Sequence, residues 1–115
     1  PIQYALLYPE RKPNELPPWN PIDTPTLTFE PVDHETFPAI RLAREAARIG
    51  GTMPCVFNAA NEEAANAFLR GELGFLAITS TVEAVMSDHR PESATLESLL
   101  ATDAWARETL RAKME

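Results

Sequence analysis

The sequence predicts a mainly α protein: a small bundle of about four helices, preceded by a proline-rich connector that carries one short strand. Three observations predict it. Apolar residues recur at helical spacing from Thr36 onward. Seven of the 11 prolines crowd between Pro9 and Pro31, where each fixes φ, removes a backbone donor and biases its predecessor toward extended geometry. Only Thr26-Leu27-Thr28-Phe29-Glu30 alternates polar and apolar as a half-buried strand does.

The connector comes first. Its proline density makes it stiffer than a Gly/Ser linker, and Leu16, Trp19 and Ile22 predict that it lies along a surface. The strand at 26–30 needs a partner for its backbone donors and acceptors, and no second strand is legible, so pairing outside this chain is expected.

The first helix is predicted from a Thr36 N-cap, with Pro38 in its first turn and a left-handed exit at Gly50-Gly51. Its buried face is read as Phe37, Ile40, Ala43 and Ala47, widened by Leu42, Ala46 and Ile49. A second helix is predicted from a Thr52 cap, or a start at Asn58, to Arg70, closed by Gly71. Its stripe of Phe57, Ala60, Ala64, Ala67 and Phe68 should let a neighbouring helix approach closely. The third carries Phe75, Ile78, Val82, Val85 and Met86 and fades at Ser87-Asp88-His89-Arg90-Pro91. Thr95 is expected to cap a short apolar turn over 96–100. Asp103 is expected to cap a last helix with Trp105, Ala106, Thr109 and Leu110 inward. Short turns between helices favour antiparallel neighbours.

Composition narrows the function. At 115 residues there is room for one domain, not for a cofactor domain beside a catalytic one. The start at Pro1 instead of Met is expected to mark a chain processed or cut from something longer. A net charge of −7 argues against nucleic acid as a partner, since such domains carry a basic patch. No apolar run is long enough to predict a membrane span. Cys55 is the single cysteine, which suits a reducing cytoplasm; in Pro54-Cys55-Val56-Phe57 it reads as a small buried hydrophobe, with no electropositive neighbour to activate it.

Candidate site residues are few. The four glycines fall at helix ends and make no G-x-G-x-x-G phosphate loop. His34 and His89 lack ligands at helical spacing, and the adjacent Glu62 and Glu63 diverge by about 100° on a helix, so no chelating pair is predicted. Asn58, Asn61 and Glu62, at i, i+3 and i+4, could form one polar patch. Amides do little acid–base work, so the patch is expected to bond backbone of the connector or a docked domain. Arg41, Arg44 and Arg48 form a stripe read as a solvated or docking face before a phosphate site. Trp19 and Trp105 read as packing anchors.

Taken in order, Pro1-Ile2-Gln3-Tyr4-Ala5-Leu6, Tyr8-Pro9-Glu10-Arg11, Leu27-Thr28-Phe29-Glu30, Phe37-Pro38-Ala39-Ile40-Arg41-Leu42-Ala43, Gly50-Gly51-Thr52-Met53-Pro54, Asn58-Ala59-Ala60-Asn61-Glu62 and Ala67-Phe68-Leu69-Arg70-Gly71 closely resemble the C-terminal portion of 1-deoxy-D-xylulose 5-phosphate reductoisomerases. The match runs nearly end to end. Departures are confined to surface positions and to the connector around Trp19.

The resemblance implies a parent that isomerises 1-deoxy-D-xylulose 5-phosphate and reduces the intermediate with NADPH to 2-C-methyl-D-erythritol 4-phosphate, in isoprene biosynthesis. It implies a magnesium or manganese ion held by carboxylates upstream of Pro1, and a homodimer formed through the catalytic domain. Residues 1–11 would end that catalytic domain, with Ile2, Ala5 and Leu6 on one face of a short helix. Residues 12–35 would be the connector, its strand returning to the catalytic sheet, and 36–115 the C-terminal helical domain. The upstream NADPH-binding and catalytic domains of the same polypeptide would be its partners. No catalytic, cofactor-binding or metal-ligating residue would lie in this chain, which alone would be inactive. The competing reading is a free-standing helical interaction module. The lone strand and the joint occurrence of the ordered motifs weigh against it.

Overall fold

A computed structural model describes residues 2–114. Among these it holds five helices and no strand: α1 (Ile2–Leu7), α2 (Ala39–Ile49), α3 (Met53–Leu69), α4 (Phe75–Asp88) and α5 (Leu96–Met114). The chain divides into two units, Pro1–Pro31 and Val32–Glu115.

In the first unit, prolines remove the backbone donors that a ladder or helix needs, and side-chain amides organise the turns instead. Gln3 donates to the Pro13 carbonyl at 3.2 Å and accepts from the Asn14 amide at 3.3 Å. Asn14 and Asn20 each accept the backbone N–H two residues on, from Leu16 at 2.9 Å and Ile22 at 3.1 Å. None of the described residues here is buried. The strand expected at 26–30 does not form within the chain: no neighbour supplies the ladder, and Phe29 is 87% exposed.

The second unit is the bundle, and α3 is its centre, packing against α2, α4 and α5. Alanines make that possible. Ala59, Ala60, Ala64 and Ala67 are fully buried along α3, with Val56 and Met53 nearer its start. Leu42 and Ala46 of α2, Val82, Val85 and Met86 of α4, and Ala106 and Leu110 of α5 complete the core.

Two helix starts differ from expectation. Thr36 does not cap α2. Asp33 accepts the N–H groups of Glu35 and Thr36, both at 3.0 Å, and forms its own turn there, so the helix opens two residues later behind Pro38. With Phe37 outside the helix, the inner face rotates onto Leu42 and Ala46, the residues expected only to widen it. Phe37, Ile40 and Ala47 are exposed and Ala43 is half-buried.

Asp103 caps nothing either. One continuous helix runs from Leu96 to Met114, and Asp103 lies inside it, bonded to Arg107 one turn on. Thr95 is the true cap: its hydroxyl accepts the Ser98 N–H at 3.1 Å while Ser98 Oγ accepts the Thr95 N–H at 2.9 Å, a capping box with serine in the reciprocal position. The predicted end of α3 is observed. Gly71 (φ 77°) is left-handed, its N–H donates to the Phe68 carbonyl, and Glu72 N–H donates to the Ala67 carbonyl, both at 2.9 Å, a Schellman closure.

Candidate functional site

The densest polar arrangement lies between α3 and α5. Glu63 is the one buried charged residue among the described residues, 6% exposed, in the middle of the alanine face. Arg111 grips its two oxygens at 3.1 and 2.8 Å, and Arg70 and Arg107 approach within 3.8 and 4.0 Å. Beside it Arg107 bonds Glu62 at 2.6 Å and both oxygens of Asp103 at 2.8 and 3.1 Å. The Arg111 hydrogen bonds hold the Glu63 carboxyl below its usual range, against the opposing effect of burial. Arg107 likewise holds Asp103 low, and the bonds to Asp103 and Glu62 raise Arg107 further above the guanidinium norm. Groups fixed as ions on both sides clamp helices; they do not exchange protons near neutrality.

The expected amide patch does not form as one surface. Glu62 turns to α5, whereas Asn61 lies about 100° away on α3 and lines a hollow of about 230 Å³ at the starts of α2 and α4. Phe37, Pro38, Phe75 and Leu76 line it, and Phe75 and Leu76 are 65% and 79% exposed. Asn58 and Asn61 are exposed and make no side-chain hydrogen bond among the described residues. The arginine stripe splits too: Arg41 bonds Glu83 of α4 at 2.7 Å and lies 3.6 Å from Glu45, while Arg44 and Arg48 face solvent.

A third arrangement sits where the α4–α5 connection crosses the start of α3. Thr52 is fully buried; its N–H donates to the Glu92 carbonyl at 3.1 Å, and its Oγ1 accepts the Glu92 N–H at 3.2 Å. That hydroxyl also meets His89 Nε2 at 2.8 Å, and the imidazole packs on Trp105 with centroids 5.1 Å apart. Thr52 stands at the N-cap position of α3, as expected, but its side chain makes no capping hydrogen bond and instead ties two segments together. Trp105 is a packing anchor, as its sequence setting indicated; Trp19 is 70% exposed. Cys55 is half-buried and donates to the Leu99 carbonyl at 3.4 Å; burial first, and Asp103 second, raise its thiol pKa, so it stays protonated.

Among the described residues no three His, Cys, Asp or Glu side chains converge as metal ligands. No helix among the described residues is long and apolar enough to cross a membrane. Sequence reasoning missed the Glu63 clamp, although a signal existed: Asp103, Arg107 and Arg111 follow one another at i+4, a charged ladder on one face of α5. The Thr52–His89 tie had no local signal, since its ends are far apart in the chain.

A family model described as the DXP reductoisomerase C-terminal domain matches residues 1–109. The 1-deoxy-D-xylulose 5-phosphate reductoisomerase of Desulforamulus reducens is 50% identical over 109 residues, covering 94% of this chain and 28% of that protein. The enzyme of the same name from Symbiobacterium thermophilum is 50% identical over 112 residues, 96% of this chain and 29% of the relative. The solved structure of the Zymomonas mobilis reductoisomerase in complex with NADPH superposes with a TM-score of 0.85 at 37% identity. It is matched over 99% of this chain and 30% of its own length. The chain therefore spans less than a third of the proteins it matches.

Proposed function

Because the chain belongs to the DXP reductoisomerase C-terminal domain family, we propose that it serves as the helical C-terminal part of an NADPH- and divalent-metal-dependent reductoisomerase. The parent converts 1-deoxy-D-xylulose 5-phosphate to 2-C-methyl-D-erythritol 4-phosphate in cytoplasmic, non-mevalonate isoprenoid synthesis, and works as a homodimer. The observation that carries this reading is 50% identity across 94% and 96% of the chain to two reductoisomerases. NADPH enters from the Zymomonas mobilis complex. Magnesium or manganese enters from the family resemblance and belongs to carboxylates outside these 115 residues.

In this reading residues 1–11 end the catalytic domain, 12–35 connect, and 36–115 form the helical domain. The segment's role is structural, with no catalytic, cofactor-binding or metal-ligating residue of its own. Two features support it. The charged groups between α3 and α5 are paired with one another, as in the Glu63 and Arg107 clamps. The apolar rim at Phe75 and Leu76, with the Asn61 amide beside it, is suited to a neighbouring domain's surface. Leu27 and Phe29 are proposed to pair as a strand with the catalytic sheet.

The test is a matched pair of assays with 1-deoxy-D-xylulose 5-phosphate, NADPH and manganese. The full-length parent should oxidise NADPH, and the 115-residue chain alone should give the rate of a protein-free blank. Sustained turnover by the chain alone would overturn the structural role. A parent that turns over other phosphorylated sugars but not this one would overturn the substrate assignment.

A further inference from the structure

The contact between Thr52, His89 and Glu92 is built differently from the ion pairs elsewhere in the bundle. Glu92 and Thr52 bond each other twice, once through backbone and once through the buried hydroxyl. Gly51, left-handed at φ 55°, lets the two backbones approach; a Cβ there would overlap the Glu92 carbonyl oxygen. The hydroxyl of Thr52 has one proton to give, and His89 Nε2 at 2.8 Å is the group placed to take it. Oγ1 is then satisfied in both senses, accepting from Glu92 and donating to the ring, and no buried side-chain polar atom among the described residues is left unpartnered.

Only a neutral imidazole can play that part. Once Nε2 carries a proton it must donate, and Oγ1 must then accept twice while its own proton has no acceptor among the hydrogen bonds of this buried hydroxyl. We propose that His89 is a pH-sensitive latch: neutral, it locks the α4–α5 connection onto the start of α3; protonated, it releases Thr52 and loosens the connection at Glu92.

The surroundings favour the neutral form on balance. Burial lowers the ring's pKa, and Glu92 opposes that more weakly. Asp88 is neutralised by Lys113 at 2.7 Å, and Glu83 is held by Arg41. Glu45 of α2 shares Arg41 and lines the outer hollow beside the ring, and Arg90 adds a positive charge on the connection. The α3 and α5 residues that line the hollows on either side of the ring, Met53, Ala101, Thr102 and Trp105, do not titrate in this range. The sign follows. With the folded pKa below the unfolded one, the latch's contribution is full above the unfolded value, about 6.5, and is lost as pH falls through the folded value.

The decisive measurement is an NMR titration of the 115-residue chain, following the His89 ring and the Glu92 and Thr52 amides. The ring should titrate at lower pH than in the urea-denatured chain, and both amides should shift with the same midpoint. As a second measurement, His89→Gln keeps an acceptor for Thr52 but cannot protonate. It should remove at least half of the loss in Tm between about pH 7.5 and about pH 5, which bracket the usual imidazole value. A ring that titrates at or above the denatured value, amides that ignore it, or an unchanged Tm profile in His89→Gln would each overturn the latch.

Discussion

Residues 2–31 and the helical unit that follows draw on the same kinds of apolar side chain and reach opposite results. Ile2, Leu6, Leu16, Trp19, Ile22, Leu27 and Phe29 are each at least 62% exposed, and no described residue before Val32 is buried. In the helical unit Leu42, Val56, Val82, Val85 and Leu110 are at most 1% exposed. Hydrophobicity does not separate the two. Local satisfaction of the backbone does so for residues 8–31: a helix closes its own hydrogen bonds and can turn an apolar face to a neighbour, whereas a proline-rich extended run must find partners elsewhere. Helix α1 does close its own bonds, but it has no second helix among the described residues of its unit to pack against. A core forms where several helices that satisfy their own backbones can face one another.

The strongest way to break that comparison is at Leu110. Leu110→Ala should cost about 2–5 kcal/mol in urea denaturation, as a fully buried leucine that leaves a cavity. A loss no larger than that of an exposed connector residue would mean the bundle is not the stable unit. Gly51→Ala comes next, at about 1–2 kcal/mol for the left-handed backbone plus the overlap with Glu92. Gly71→Ala is the control, since Gly71 is also left-handed but a Cβ there meets open space, and it should cost less.

Glu63→Gln sharpens the picture through pH. The Glu63 carboxyl is held below its ordinary 4.5, so its contribution is present above that value and lost as pH falls through the lower folded one. The variant should have a flatter Tm profile on the acid side, and an unchanged profile would remove Glu63 from the clamp. Phe29→Ala should have the smallest effect, within about 0.5 kcal/mol in the isolated chain. In the full-length parent it should destabilise measurably if the strand is paired there. Equal effects in both settings would undo the proposed pairing.

Much of the architecture was legible because it is local. Gly71 after Arg70 and the alanines of α3 carry their meaning in a window of a few residues, and both behave as read. Errors arose where two local signals competed. Asp33 outdid Thr36 as the turn-forming oxygen ahead of α2, and Thr95 began a helix long enough to absorb Asp103. Sequence spacing grouped Asn61 with Glu62, yet a step of one residue on a helix sends them to different neighbours. Thr52 looked like a cap by type and position. Its use as a tie to Glu92 and His89 is a long-range fact that no window contains.

The alanines at the centre of the bundle carry one more consequence, in conformational entropy. Ala59, Ala60, Ala64 and Ala67 have no rotamers to lose, so at these four positions ordering the shared helix freezes backbone alone. Along this alanine face the side-chain mobility surrendered on folding falls mainly on the residues of α2, α4 and α5 that close around it. A branched residue at Ala60 would reverse this economy: with helices packed against α3 on several sides, the added methyls have no side-chain torsion to retreat into, and accommodating them means moving a whole helix.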